Sequence, residues 1–403
     1  MVFTYIFGLI LDILWIIFYL IGIFYFGVAL FSLLPSKYEK ISEGYLRFAV
    51  VIPAHNEETV IKNLLVSLKN QEYPEEYYNV YVMADNCLDN TALVSSEMEV
   101  KVLYRTSSET TGKGIALADA FMQIRENDNT VDGYVIIDAD NIVDKRFLKE
   151  INIAMLQGNN VVQGYIDSKN PMKSWVSHAH SVWYWITNHT IQKGFSDLGI
   201  GCCLGGTGFA LSKELLDEVK WDVNSLAEDA EYTAKLCVNG KKVYFAPTAV
   251  VFDEKPYKFR ESVNQRIRWA KGIFSVEKTY SGLLFKKGKI LDLLKISSNW
   301  LMPLTSFVFA ALTVLVLIKL MGILKIDMPQ LWLSPFNALS LCFFTFGMIF
   351  SSFAALVQDK KYDSKIILNT IGFLIYIFSW VPIGIYGVFR HRKKEWYHTK
   401  HKE

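Results

Sequence analysis

Asp138-Ala-Asp140 follows directly on the apolar run Tyr134-Val-Ile-Ile137. Two carboxylates one residue apart, on a loop beyond a strand, can approach a single divalent cation. Mg2+ and Mn2+ take few protein carboxylates and complete their shells with phosphate oxygens, so the chemistry implied is diphosphate binding. A pair of turn aspartates is the structural alternative. Asp85, in Ala84-Asp85-Asn86, ends a second apolar run in the same way. Carboxylates at the C-terminal ends of parallel strands lie where α/β sheets bind ligands. Glu228-Asp229, in Leu226-Ala-Glu-Asp-Ala-Glu231, offers a general base beside a water-poor site. The same pair also suits a helix N-terminus, where acidic residues complement the dipole.

Further along, Gln265-Arg-Ile-Arg-Trp269 sets Gln265, Arg268 and Trp269 within about one helical turn. A guanidinium can grip phosphate oxygens in a fork, and an indole face can lie against a sugar ring. A basic helix with a core tryptophan is the plain alternative. Lys113, between Gly112 and Gly114 at a helix start, is placed to meet phosphate. The Gly-x-x-x-x-Gly-Lys-Ser/Thr spacing of a P-loop is absent. Gly205-Gly-Thr-Gly208 reads as tight backbone beside a bulky ligand, or as a loop. His178, His180 and His189 with Trp175, Trp183 and Trp185 form an aromatic and polar cluster that suits a sugar-acceptor path or a packed interface.

These residues need a scaffold, and the hydropathy pattern supplies one. Phe48-Ala-Val-Val-Ile52 is apolar without alternation, the mark of a strand buried on both faces. Strands at 80–83, 100–103 and 134–137 alternate with helical spacing over 58–68, near 91–94 and over 114–124. Such alternation predicts an α/β domain with a mostly parallel sheet covered by helices.

The rest of the chain is different. Of its 403 residues 51% are hydrophobic and only 20% charged, with a mean hydropathy of +0.20. Residues 1–36 carry one charge, Asp12, and 296–318, 328–358 and 366–389 carry none. Each run reaches the roughly 20 residues that cross a bilayer as a helix. The sequence therefore divides into an N-terminal transmembrane helix (1–36), a cytosolic domain (37–280), an interfacial amphipathic helix (281–295), about three transmembrane helices (296–389) and a basic tail (390–403). The amphipathic segment mixes Leu284, Phe285, Ile290 and Leu291 with Lys286, Lys287 and Lys289, as befits a membrane surface. Three crossings after a cytosolic domain leave the basic tail outside, against the positive-inside tendency. A net charge of +2 gives no electrostatic basis for nucleic-acid binding. Five cysteines without metal-ligand spacing fit reduced thiols facing the cytosol.

Taken in order, Val51-Ile-Pro-Ala-His-Asn-Glu57, Ala84-Asp-Asn86, Asp138-Ala-Asp140, Glu228-Asp229 and Gln265-Arg-Ile-Arg-Trp269 between membrane runs resemble the processive family-2 glycosyltransferases, which include cellulose, hyaluronan, chitin and poly-N-acetylglucosamine synthases and bacterial synthases of further β-glucans. The resemblance implies a GT-A-like nucleotide-sugar domain in the plasma membrane, with its catalytic face cytosolic. It implies that Asp85 holds the uridine portion and that Lys113 lies near the nucleotide. Asp138 and Asp140 would serve the diphosphate and a Mg2+ or Mn2+ ion. Asp229, with Glu228 beside it, would be the base, and Gln265, Arg268 and Trp269 would meet diphosphate and acceptor sugar. The partners implied are a UDP-sugar donor, a growing polysaccharide and the lipid bilayer, with UDP-glucose and a β-glucan as the leading pair and a UDP-GlcNAc polymer as the alternative. Two departures stand out. The usual Asp-Asp-Gly is here Ala84-Asp85-Asn86, and Cys203-Leu-Gly-Gly-Thr207 only loosely matches the acceptor-contacting Cys-Gly-Ser element. A transferase to a polyprenyl phosphate and an inactive nucleotide-sugar sensor are further alternatives.

Overall fold

The computed structural model describes residues 2–35, 44–107, 112–323, 335–361 and 370–390. Most of the basic tail, from residue 391 on, lies outside them.

The strand over Phe48–Ala54 (β1) shows why its run is apolar throughout. Ala49 and Val51 enter one core with Leu117, Phe121 and Trp221, while Phe48, Val50 and Ile52 enter another with Leu64, Leu65, Phe147 and Ile151. A helical layer on each face of the sheet makes both sets of alternating side chains interior. The first of these helices, α2 (Ile61–Lys69), buries Ile61, Leu64, Leu65 and Leu68 at helical spacing. The other anticipated strands are Tyr78–Asp85 (β2), Lys101–Arg105 (β3) and Gly133–Ile136 (β4), with helices at Thr91–Glu97 (α3) and Lys113–Asn127 (α4) between them. β5 (Ile142–Val143), α5 (Phe147–Leu156), β6 (Val161–Ser168), α6 (Trp175–Thr187) and α7 (Gly194–Asp197) follow. Asn188–Lys193, between α6 and α7, forms a π-helical turn. β7 (Phe209–Ser212), α8 (Lys213–Glu218), α9 (Glu228–Val238) and β8 (Tyr244–Asp253) complete the domain.

The eight strands form one sheet in the order β3-β2-β1-β4-β7-β6-β8-β5. β3, β2, β1 and β4 are mutually parallel, as are β6 and β8, and β7 runs antiparallel between the two groups. The C-terminal ends of β1, β2 and β4 therefore open on one edge of the domain, where the chain order reverses about β1. That is the place where such sheets bind ligands.

Outside the sheet, α1 (Val2–Ser32) precedes the domain, and α10 (Phe259–Lys286) leaves it as a 28-residue helix. The single amphipathic helix expected over 281–295 is broken. α10 ends at Lys286, and α11 (Ile290–Ile296) starts after a turn in which Gly288 takes φ +69°, a left-handed conformation that ends helices readily when a glycine supplies it. α12 (Ser298–Leu320), α13 (Pro335–Gln358) and α14 (Thr370–Arg390) take up the three uncharged runs. Among the described residues, Trp15–Ser32 and Gly372–Arg390 are long and apolar enough to cross a membrane, by length and composition.

Candidate active site

A cavity of about 490 Å³ opens at the strand ends, and Asp85, Lys113, Asp138, Asp140, Glu228, Asp229, Gln265, Arg268 and Trp269 all line it. They come from five separate stretches of chain, so only the fold brings them together. Of the histidine and tryptophan cluster over 175–189 only Trp183 lines the cavity, while Trp175, His178, His180, Trp185 and His189 do not.

One corner of the cavity is fixed by β2. Asp85, at its last position, is buried and takes a 2.7 Å bond from the Arg105 guanidinium, which also reaches Asp119. Asn86 donates to the same Asp85 oxygen, and the His55 ring donates from Nδ1 to the Asp85 carbonyl at 2.7 Å. One Asp85 oxygen is therefore committed to Arg105, and His55, which has no assigned role in the sequence reading, braces this strand end beside the cavity.

The turn after β4 is held from the next strand over. The Asp138 backbone N–H donates to Thr207 Oγ1, whose own hydroxyl donates to Asn141 Oδ1 at 2.6 Å. The Asn141 amide then donates to Asp140 at 2.9 Å and to Asp253 at 3.1 Å. Gly205-Gly-Thr-Gly208 is thus tight backbone for a reason: Gly206 sits at φ +87°, and a Cβ there would lie 3.4 Å from Asp229 Oδ2. The glycine lets the main chain pass between the acidic turn and α9.

Lys113, at the start of α4, points into this ring of charge. Its ammonium lies 2.5 Å from Asp138 and 3.6 Å from Glu228, and it donates to the Gly206 carbonyl at 2.7 Å. Those carboxylates outweigh its burial and keep it firmly protonated. Burial drives the Asp138 carboxyl above its usual value while Lys113 opposes that rise. Asp138 and Asp140 are hard oxygen donors on one turn, and among the described residues no group of three or more His, Cys, Asp or Glu surrounds a point. A Mg2+ or Mn2+ ion that takes one or two carboxylates here and the rest of its shell from a diphosphate fits that donor set.

Asp229 stands in the first turn of α9 and accepts from the Ala230 N–H at 2.8 Å. Burial, and then the neighbouring Glu228 charge, push its pKa up to about 7, against the pull of Lys113 and Arg268. A carboxylate that titrates near neutrality is suited to accept a proton from a hydroxyl.

The far wall is helical. Arg268 has no ion-pair partner among the described residues, and Gln265 Oε1 is buried without a hydrogen bond, so both face the cavity uncommitted. Trp269 lies parallel to Trp380 of α14, with ring centroids 6.4 Å apart and planes at 16°, and Trp183 of α6 joins them. Arg266, fully buried, fastens α10 to α14: it donates to the Tyr376 carbonyl at 3.0 Å and to Ser379 Oγ at 2.7 Å, with its guanidinium 4.3 Å from the Tyr376 ring. Trp380 and Arg266 were missed from the sequence. An indole inside an apolar run looks like any lipid-facing aromatic, and nothing local marks Arg266 apart from Arg268.

The profile of the family described as glycosyltransferase like family 2 matches residues 46–272, more than half of the chain. The chain belongs to this family. It is 27% identical over 239 residues to the probable glycosyltransferase YdaM of Bacillus subtilis, a match that covers 56% of this chain and 55% of that protein. A beta-monoglucosyldiacylglycerol synthase of Trichormus variabilis is 25% identical over 392 residues, or 91% of this chain and 79% of that one. Among solved structures, the mannosyltransferase PcManGT of Pyrobaculum calidifontis, in complex with GDP-Man and Mn2+, superposes with a TM-score of 0.51 at 18% identity over 85% of this chain and 98% of that chain. The fold is therefore GT-A-like.

Proposed function

We propose that this chain is a plasma-membrane enzyme with a cytosolic catalytic domain that transfers glucose from UDP-glucose, with inversion, to the end of a growing β-glucan. The observation that carries the reading is the continuity of the cavity from Asp85, through the carboxylates, to the indoles of Trp183, Trp269 and Trp380. Flat indole faces offer apolar surface to the C–H faces of a pyranose, and a polymerase must hold its product's end between successive additions.

Asp229 takes the proton of the acceptor hydroxyl, and that oxygen forms its bond to the anomeric carbon as the bond to the UDP oxygen breaks. Starting from an α-linked donor, one displacement yields a β-linkage. Arg268 and Lys113 bring positive charge to the diphosphate as it gains negative charge, the moment at which such contacts lower the barrier. Asp138 and Asp140 would hold a Mg2+ or Mn2+ ion, which would supply further neutralisation of the leaving group. Gln265 Oε1 accepts from a sugar hydroxyl.

A second reading has its own support. Part of the cavity wall is apolar, with Ile191, Leu204, Ile273, Val276 and Ile296, and the relative that aligns over nearly the whole chain is named for a glycolipid product. Transfer to a diacylglycerol hydroxyl fits those facts. Purified protein in membranes, offered radiolabelled UDP-sugars one at a time with Mg2+ or Mn2+, separates the two. High-molecular-weight label cleaved by β-glucan hydrolases is the expected result. Label found only in a lipid-soluble monosaccharide replaces the polymerase reading with the glycolipid one.

A further inference from the structure

The helices outside the sheet meet the catalytic domain in two different ways. In α1, the contacts gather at the C-terminal end, where Tyr25 and Val28 pack on Ile191 and Phe195 and the Lys193 ammonium binds the Ser32 carbonyl at 2.6 Å. α12 begins at the cavity with Ser298 and runs away from it, so that Val316 meets Trp15. α13 comes back. Just beyond its end, Asp359 accepts from Tyr165 at 2.8 Å and bonds His189 at 2.9 Å, and Lys361 lies 2.5 Å from Asp167. These three helices stand on the domain by one end each, as crossing helices do.

α14 touches the domain near both ends. Gly372 is pressed on the Trp175 indole and Gly387 on Ala270, so closely that a Cβ at either would lie 3.0 Å and 2.6 Å away. Between them Tyr376 and Trp380 are buried against α6 and α10, and Ile383 is buried as well. Residues 376, 380, 383 and 387 follow helical spacing, so one whole face of α14 lies on the domain. The opposite face carries Leu374, Ile375, Ile385 and Phe389, exposed by 46%, 47%, 55% and 82%, while Phe378 meets Phe307 of α12 edge to face with ring centroids 5.7 Å apart. Trp380, midway along the helix, lines the same cavity as Asp138 and Asp229. The midpoint of a crossing helix would sit about 15 Å deep in hydrocarbon, out of reach of a water-filled donor site.

We infer that α14 does not cross the bilayer but lies in the lipid interface beneath the catalytic domain, with Leu374, Ile375, Ile385 and Phe389 facing lipid. The inference rests on the membrane placement proposed above. It removes the conflict in the sequence. α12 leads out, α13 returns, α14 stays on the domain's side, and the tail over 390–403, with six basic and two acidic residues, emerges where the positive-inside tendency puts it. It also makes the lipid surface part of the active site, because the helix that rests on lipid carries Trp380.

Two measurements on the full-length protein in vesicles of known orientation test this. Epitope tags after Glu403 and in the polar turn at Asp128–Thr130 are exposed to added protease. Cleavage of both tags in the same vesicle orientation is expected, and cleavage from opposite sides overturns the inference. Nitroxide amino acids at Leu374 and Phe389, fifteen residues apart, then report immersion by electron paramagnetic resonance. Depths that agree within about 5 Å are expected of an interfacial helix. Depths that differ by something near the axial separation of about 22 Å overturn it in favour of an upright helix. Protein that leaves the membrane fraction in high salt and carbonate overturns the membrane placement itself, and with it this inference, while transfer from UDP-glucose in solution still reports on the catalytic reading.

Discussion

The two ends of the cavity are made of different material. At the end proposed to take the donor, charged side chains sit on the last residue of β2 and on the turn after β4, and a relay of Thr207, Asn141 and Asp253 ties the acidic turn to neighbouring strands. At the acceptor end, the lining comes from α6, α10 and α14, with indoles where the other end has carboxylates. A sheet edge holds charges to the tolerance that a diphosphate requires, since each strand is bonded on both sides. Helices packed through large aromatic faces can instead shift as units without breaking a ladder. Under the proposed function the contrast separates two jobs: the sheet serves departure of the sugar from its nucleotide, and the helices serve the choice of what receives it.

The sharpest way to break that division is at the carboxylate between the two ends. Asp229→Asn should lower transfer by about 10³-fold, the usual scale for a lost general base, with UDP binding unchanged by calorimetry. Transfer at the wild-type rate would remove Asp229 from the chemistry. At the donor end, Asp140→Ala should weaken Mn2+ binding measured in the presence of UDP and slow transfer by about 10²-fold. Mn2+ affinity equal to that of the wild type would show that this turn is not the cation site.

The acceptor end should respond in another currency. Trp380→Ala should raise the acceptor KM about tenfold, equivalent to about 1.4 kcal/mol, while slow hydrolysis of UDP-glucose by water stays within about twofold. Trp380→Phe should recover most of the loss. A parallel fall in hydrolysis and transfer would mean that the indole supports the fold and not the acceptor. Arg266→Met should preserve folding, because apolar groups of similar size often replace a buried charge at no cost, but should reproduce part of the Trp380→Ala effect by freeing α14. Unchanged acceptor KM would show that Arg266 does not position Trp380.

The same division explains what the sequence disclosed. Strand ends were legible because an apolar run buried on both faces has no alternation, and an acidic residue just after it is conspicuous. β1, β2, β3 and β4 all stand where their runs indicate, with Asp85 and Asp138 at or just beyond the ends. The relay through Asn141 and Thr207 was not legible, since it joins residues 66 positions apart by side chains of unremarkable type. Nor was the break at Gly288 evident, because the residues before and after it share one amphipathic pattern. The apolar content of α14 is the same whether it crosses lipid or lies on it. Only the positions of Gly372 and Gly387 against catalytic-domain helices distinguish the two.

The smallest effect concerns stability, and it follows from the position of Asp229 between the two ends. Folding raises its pKa from 3.8 to about 7, chiefly by burial and by Glu228. The folded carboxyl therefore binds its proton below about 7, and the unfolded one only below about 3.8. Between those values folding takes up a proton, so this group's contribution to stability falls as pH rises, and above about 7 its full cost is present. Catalysis needs the ionised form, so kcat/KM should fall about tenfold per pH unit below about 7 even as the fold is relieved of that cost. Asparagine carries no charge at any of these pH values. Asp229→Asn should therefore melt higher than the wild type by at least about 2 °C at pH 8, with the gap narrowing as pH falls from 7 toward 4. A gap that does not change with pH would mean that Asp229 is ionised with ease in the folded protein, and that the base at the centre of this cavity has to be sought in Glu228.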